Sequence, residues 1–226
     1  EDRSTRVVVS QTADCAGVRP SNGPRRMSLS TSSGNMWPWE HAAFGYVLFS
    51  LLLRSSGRRP PTDAGAVAVL VGTQVPDLLD KPLAWWLDVL PAGRSLGHSL
   101  PFALPVIVAA LVASRSLQRG SVGVAFGIGY LSHLAGDVVY PALLGGGIET
   151  RFLRYPFVDL AGTDSVGVAK LTGLVADFGV FLTTPRGTLY LFGEGLLLAL
   201  ALGVWVVDGR PGPALFRRGV RRAITG

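Results

Sequence analysis

The chain has 226 residues, 48% of them hydrophobic and only 16% charged, and a formal net charge of +6. Soluble domains of this size carry about 25% charged residues, so the deficit points to a membrane protein. A single cysteine, Cys15, excludes an intrachain disulfide and a thiolate metal site, and basic clusters without interleaved aromatic residues argue against nucleic acid as a partner.

Residues 1–35 are rich in Ser, Arg, Gly and Thr and carry no apolar period, so disorder is their expected state. They lack the apolar core of a secretory signal, and Met36, opening MWPWEHAAFGYVLFS, is a natural start for the functional part. Five apolar segments follow, at 37–53, 64–80, 98–114, 121–144 and 189–207. A helical span needs about 20 apolar residues, with about 17 as a lower bound, so the first three are short. The expected architecture is all-α: an integral membrane helical bundle of about five transmembrane segments over 36–209, then a basic cytoplasmic tail, 210–226.

Arginines set the expected orientation. Arg54, Arg58 and Arg59, then Arg115 and Arg119, then the tail from Arg210 to Arg222, belong in the cytoplasm. The first segment then starts outside and the chain ends inside. Trp37, Trp39, Trp85, Trp86 and Tyr190 fall at outer ends, where amphipathic rings prefer to sit. The outer connection 145–188 exceeds the usual length of about 2–8 residues in helical bundles. Its stretch VGVAKLTGLVADFGVFL reads as an amphipathic lid or re-entrant element. No GxGxxG, Walker or GxSxG motif occurs, which disfavours nucleotide-driven transport and serine hydrolysis.

The polar residues, which played no part in that topology, all fall at one depth near the outer face. His41 opens segment one, Asp77 and Asp80 close segment two, and His98 opens segment three. His133 and Asp137 lie in the outer half of segment four, and Glu194 near the outer end of segment five. Ionisable groups in apolar surroundings need a partner or a metal to offset desolvation. His133 and Asp137 are four apart, on one helical face, and suit either a shared cation or a hydrogen-bonded lock between helices. Asp77 and Asp80 favour a cation or a shared proton, against a bland reading in which Pro76 ends the helix and the acids meet water. Glu40, about 100° round the helix from His41, is assigned to the membrane interface. Arg94 reads as a clamp for an anion or as a solvated loop charge. Glu194 reads as a general base, a further ligand or an acceptor for a histidine.

The strings MWPWEHAAFGYVLFS, VPDLLDKP, GRSLGHSLPF, YLSHLAGDVVYP and RFLRYPF, in this order, resemble the YdjM-like membrane-bound metal-dependent hydrolases. The resemblance covers about residues 36–157 and lands on His41, Asp77, Arg94 with His98 and Ser99, His133 with Asp137, and Tyr155-Pro156. It implies a distant relationship to the zinc-dependent phospholipase C and nuclease superfamily, helical folds with His and Asp ligands, and phosphoester hydrolysis.

The resulting expectation is a divalent metal, zinc foremost and manganese or iron next, held by His41, Asp77, His98, His133 and Asp137. Asp80 or Glu194 accepts a proton, Arg94 stabilises developing charge, and the substrate is a phosphoester at headgroup depth, with membrane lipids as partners. A metal-ion or proton-coupled transporter is the alternative, but the inner halves of segments one, three and five are nearly pure Leu, Val and Ala. A metal-stabilised scaffold without turnover is the third reading.

Overall fold

A computed structural model describes residues 36–143, 147–160 and 168–215. The expected disordered extension 1–35 and the basic run 217–222 lie outside the described residues. Six α-helices and one short 3-10 turn make up the regular structure, and no strand occurs among the described residues. The helices are α1 (Pro38–Ser55), α2 (Asp63–Trp85), α3 (Leu100–Ser116), α4 (Gly120–Leu143), α5 (Val168–Leu182) and α6 (Pro185–Val207). The 3-10 turn spans Arg151–Arg154. The five apolar segments are thus α1 to α4 and α6.

Local chemistry explains the helix ends. Pro38 begins α1, where its missing N–H leaves no bond unmade, and the Glu40 carboxylate reaches back to the Trp37 N–H. Gly57, at φ +65°, ends α1 with the Arg58 N–H bonded to the Leu53 carbonyl at 2.9 Å. Thr62 and Thr184 cap α2 and α6, each hydroxyl accepting a backbone N–H at 3.1 Å. Segment two does not stop at its acidic end, as one reading of Pro76 had it. The helix runs through Pro76 and Pro82 to Trp85, and Asp77 and Asp80 are buried instead of solvated. Packing on both sides of α2 holds it helical where proline alone would break it.

Helices α2 and α4 approach backbone to backbone. A Cβ on Gly72 would run into the Phe126 carbonyl and the Tyr130 nitrogen, and one on Gly129 into the Val69 carbonyl. This closeness sets the Thr73–Asp77 turn directly beside His133 and Asp137, one and two turns beyond Gly129. Gly136 makes the corresponding room for α1, since a Cβ there would meet Met36 Sδ and, at 3.5 Å, His41 Nδ1.

Helix α6 lies along α1 and is fastened at both ends. Tyr190 donates to Glu40 at one end, and Asp208 accepts from Tyr46, Ser50 and Arg54 at the other. Between those ties α6 leaves Phe192, Leu196 and Leu200 exposed. Two helices, α4 and α6, are long and apolar enough to cross a membrane; α3 is apolar but has only 17 residues. Helix α5 falls within the expected lid, and Phe178 packs on Trp37 and Tyr190 with centroids 4.8 and 5.7 Å away.

Candidate metal centre

Five side chains from four places in the chain meet at one end of the bundle. His41 comes from the first turns of α1, Asp77 from α2, His98 from the residues preceding α3, and His133 and Asp137 from α4. All are buried: the three histidines are at most 1% exposed, Asp137 3% and Asp77 8%. Such burial of five ionisable groups together requires strong internal compensation.

Hydrogen bonds behind the cluster assign the imidazole nitrogens. His133 Nδ1 lies 2.7 Å from the Thr73 carbonyl oxygen, which can only accept, so Nδ1 carries the proton. His98 Nδ1 lies 2.8 Å from Asp80 Oδ2 and donates to it in the same way. With Nδ1 protonated in each neutral ring, both Nε2 atoms present lone pairs. Those two Nε2 atoms stand 3.0 Å apart.

Two carboxylates close round the same point. His98 Nε2 is 3.4 Å from Asp77 Oδ1 and 3.2 Å from Asp137 Oδ2. His133 Nε2 is 3.8 and 3.7 Å from the same two oxygens. Acceptors therefore face acceptors, an arrangement that repels until a cation or proton enters it. Asp137 Oδ1, its other oxygen, is 3.5 Å from His41 Nε2, and the His41 ring stacks on His133 with centroids 3.7 Å apart. His41 Nδ1 is buried without a hydrogen-bond partner.

Two overlapping triads have ligand atoms all within 4.8 Å of one another: His41, Asp77 and His133, and His98, His133 and Asp137. Imidazole nitrogens with carboxylate oxygens are the donor set of zinc, manganese and non-haem iron sites. The buried His/Asp groups are positioned to bind a metal ion.

Asp80 stands behind this centre. Its carboxylate accepts from the Ser95 and Gly97 backbone N–H groups at 2.7 Å and from the His98 N–H at 3.2 Å, besides the His98 ring. With all that occupied it has no capacity left for a proton from substrate water. It holds the 95–98 loop and fixes the His98 tautomer, as outer carboxylates do at metal sites.

Glu194 also differs from its expected place. It lies against Glu40 and Trp39, with none of the His/Asp ligands bonded to it, and its Oε1 is buried without a hydrogen bond. Glu40, assigned to the interface, is fully buried, and its Oε1 accepts from Tyr140 at 2.7 Å and Tyr190 at 3.0 Å. Tyr190 is accordingly a buried donor to Glu40.

Arg94 has its guanidinium 5.3 Å from the Phe152 ring centroid, and Phe152 sets its edge on His98 at 6.0 Å. Within the described part of the 145–188 connection, the Arg151–Arg154 turn touches the centre through Phe152. Three contributors escaped the sequence reading. The Thr73 carbonyl has no side-chain signal, whereas Lys81, four residues after Asp77 and bonded to its Oδ2, was visible in the spacing. Trp85 lies under the Lys81 ammonium, 5.8 Å from ring centroid to nitrogen.

A family model described as YdjM inner membrane protein matches residues 36–210. Neither curated proteins nor solved structures gave a match.

Proposed function

Given that this chain belongs to the YdjM inner membrane protein family, we propose that it is a membrane-bound metal-dependent hydrolase acting on a phosphoester. The observation that carries the reading is the 3.0 Å approach of two imidazole Nε2 acceptors between two carboxylates. A structural His–Asp lock pairs a donor with each acceptor, whereas here two imidazole Nε2 atoms face each other. His98, His133, Asp77 and Asp137 would hold the cation, with His41 beside Asp137. Zinc is the foremost candidate, manganese or iron the next. A divalent cation bound there supplies a Lewis acid and brings the pKa of water toward about 7.

The chain's own residues do the rest. Asp80 keeps His98 in the tautomer whose Nε2 faces the centre, and the Thr73 carbonyl does the same for His133. Arg94, one ring away from His98, stabilises negative charge that develops on the reacting group. Burial of the whole cluster limits bulk water. The membrane arrangement that fits is five crossings by α1 to α4 and α6. The N-terminus is then outside and the Arg54, Arg115 and Arg119 turns cytoplasmic, by the positive-inside rule. The centre then lies at extracytoplasmic headgroup depth, where a phospholipid is the natural substrate.

The test is the metal content of the detergent-purified full chain and its hydrolysis of phosphatidic acid. The expected result is near-stoichiometric zinc or manganese, with both metal and turnover lost in His133→Ala and Asp137→Ala and helicity unchanged by circular dichroism. Absence of bound metal after incubation with zinc, manganese and iron in turn would overturn the reading.

A further inference from the structure

Beside the metal centre, one patch of buried hydrogen-bond donors has no acceptor. Arg94 Nη1 is buried and bonded to nothing, and Trp85 Nε1 is in the same condition. No ion pair involves Arg94 among the described residues. A guanidinium nitrogen that has lost water and gained no acceptor is costly, as is a buried indole N–H. Such groups mark a place where a ligand supplies the acceptors.

The two donors come from one stretch of packing, since the indole rests on the residue next to Arg94. The Trp85 indole lies so close to Gly93, the residue before Arg94, that a Cβ there would stand 2.8 Å from Nε1. Gly93 is therefore the residue that lets the indole lie against this loop. On the face of the same indole sits the Lys81 ammonium, 5.8 Å from the ring centroid, and that ammonium also bonds Asp77 Oδ2. Arg94 is held flat against Phe152, whose edge rests on His98. A continuous line of contacts thus runs from Lys81 through Trp85, Gly93, Arg94 and Phe152 to His98, and back through Asp77 to Lys81.

We propose that Arg94, Trp85 Nε1 and Lys81 form an anion subsite at the rim of the metal centre, built for the phosphoryl oxygens of a phosphoester. The donors come from three separate side chains and include a two-pronged guanidinium. Three separate donors suit a tetrahedral anion with several free oxygens better than a planar carboxylate, whose two oxygens the guanidinium alone would satisfy. The subsite rests on the hydrolase reading for its purpose, but its binding chemistry needs only these three side chains. The anion comes either from a lipid headgroup or from a soluble phosphate, and the chemistry of recognition is the same.

Calorimetric titration of inorganic phosphate into the full chain, in detergent and after chelator treatment, reports the subsite without any metal. The wild type should bind phosphate. Arg94→Gln should weaken binding about tenfold or more, the scale of losing a charge-assisted bidentate contact. Trp85→Phe, which keeps an aromatic face but removes the N–H with its five-membered ring, should weaken it about threefold. Metal content on reloading should be unchanged in both variants. Equal phosphate affinity in the wild type and both variants, or no binding by the wild type, would overturn the proposal. Metal-free protein whose phosphate binding depends on Arg94 and Trp85, yet which never takes up metal, would sink the hydrolase reading and leave the subsite standing. Repeating the titration in phosphatidylcholine nanodiscs separates the sources: competition by phosphatidic acid in the disc identifies a lipid headgroup, and competition by glycerol phosphate alone a soluble ester.

Discussion

At one end of α1, Asp208 is surrounded by donors; at the other, Asp77 Oδ1 and Asp137 Oδ2 face the Nε2 atoms of His98 and His133. The Asp208 side chain is fully buried and takes the Tyr46 hydroxyl at 2.8 Å, the Ser50 hydroxyl at 2.7 Å and the Arg54 guanidinium. Every partner there gives a hydrogen, so the cluster is complete in itself and serves to tie α6 to α1. In the His/Asp centre, the hydrogens of His98 and His133 are spent outward, on Asp80 and Thr73, and the lone pairs turn inward. Both ends bury carboxylates. Hydrogen-bond direction separates a structural carboxylate from one that waits for a cation.

That contrast can be broken by substitution, with the largest effect expected at Asp80. Asp80→Ala strands three buried N–H groups and the His98 ring, and should cost about 3–5 kcal/mol of stability, as removal of one partner from a buried charged pair does. The milder Asp80→Asn should leave the fold standing and weaken metal binding about 10- to 100-fold, the usual effect of losing an outer carboxylate. Denaturant-dependent tryptophan fluorescence and competitive metal titration measure the two. Unchanged metal affinity in Asp80→Asn would mean that His98 does not depend on this carboxylate for its orientation.

Asp208→Ala should act in the opposite pattern. It should destabilise the protein by about 2–4 kcal/mol by leaving buried hydroxyls and Arg54 without an acceptor. Metal content should not change, because Asp208 shares no side chain with the centre. Loss of metal together with stability would show that the two ends are coupled through α1. A smaller effect is expected from Gly129→Ala, whose added methyl meets the Val69 carbonyl and must push α4 from α2. Overpacking of this kind costs about 1–3 kcal/mol. Because His133 lies one turn further along, metal affinity should fall as well. Tyr190→Phe is the mildest change. It removes one of two hydroxyl donors to Glu40 and should cost about 1 kcal/mol without affecting metal content.

Much of the centre was legible in the chain. Histidines and aspartates are conspicuous in apolar runs, and the spacing His133–Asp137 survives as two groups 3.7 Å apart on one face of α4. The five apolar segments survive as helices, because hydrophobic content over such lengths leaves few other ways to satisfy the backbone. The places where the reading failed share one cause. Asp80 and Asp77 look equivalent as letters, three apart on one helix, yet one faces the cluster and the other faces the 95–98 loop. Glu40 looked interfacial because its neighbour His41 faced inward, and no pattern in the sequence announced that Tyr140 and Tyr190 would close over it.

By itself, the sequence determined composition, helicity, membrane character and the residue types available to a buried cluster, since these follow from local hydrophobicity and spacing. Only the tertiary structure decided which atoms meet. Whether an imidazole nitrogen donates or accepts depends on what lies behind it, and those partners, the Thr73 carbonyl and the Asp80 carboxylate, come from another helix. The close approach at Gly72 and Gly129 brings them there, and hydrogen-bond direction at a buried site is a property of that packing.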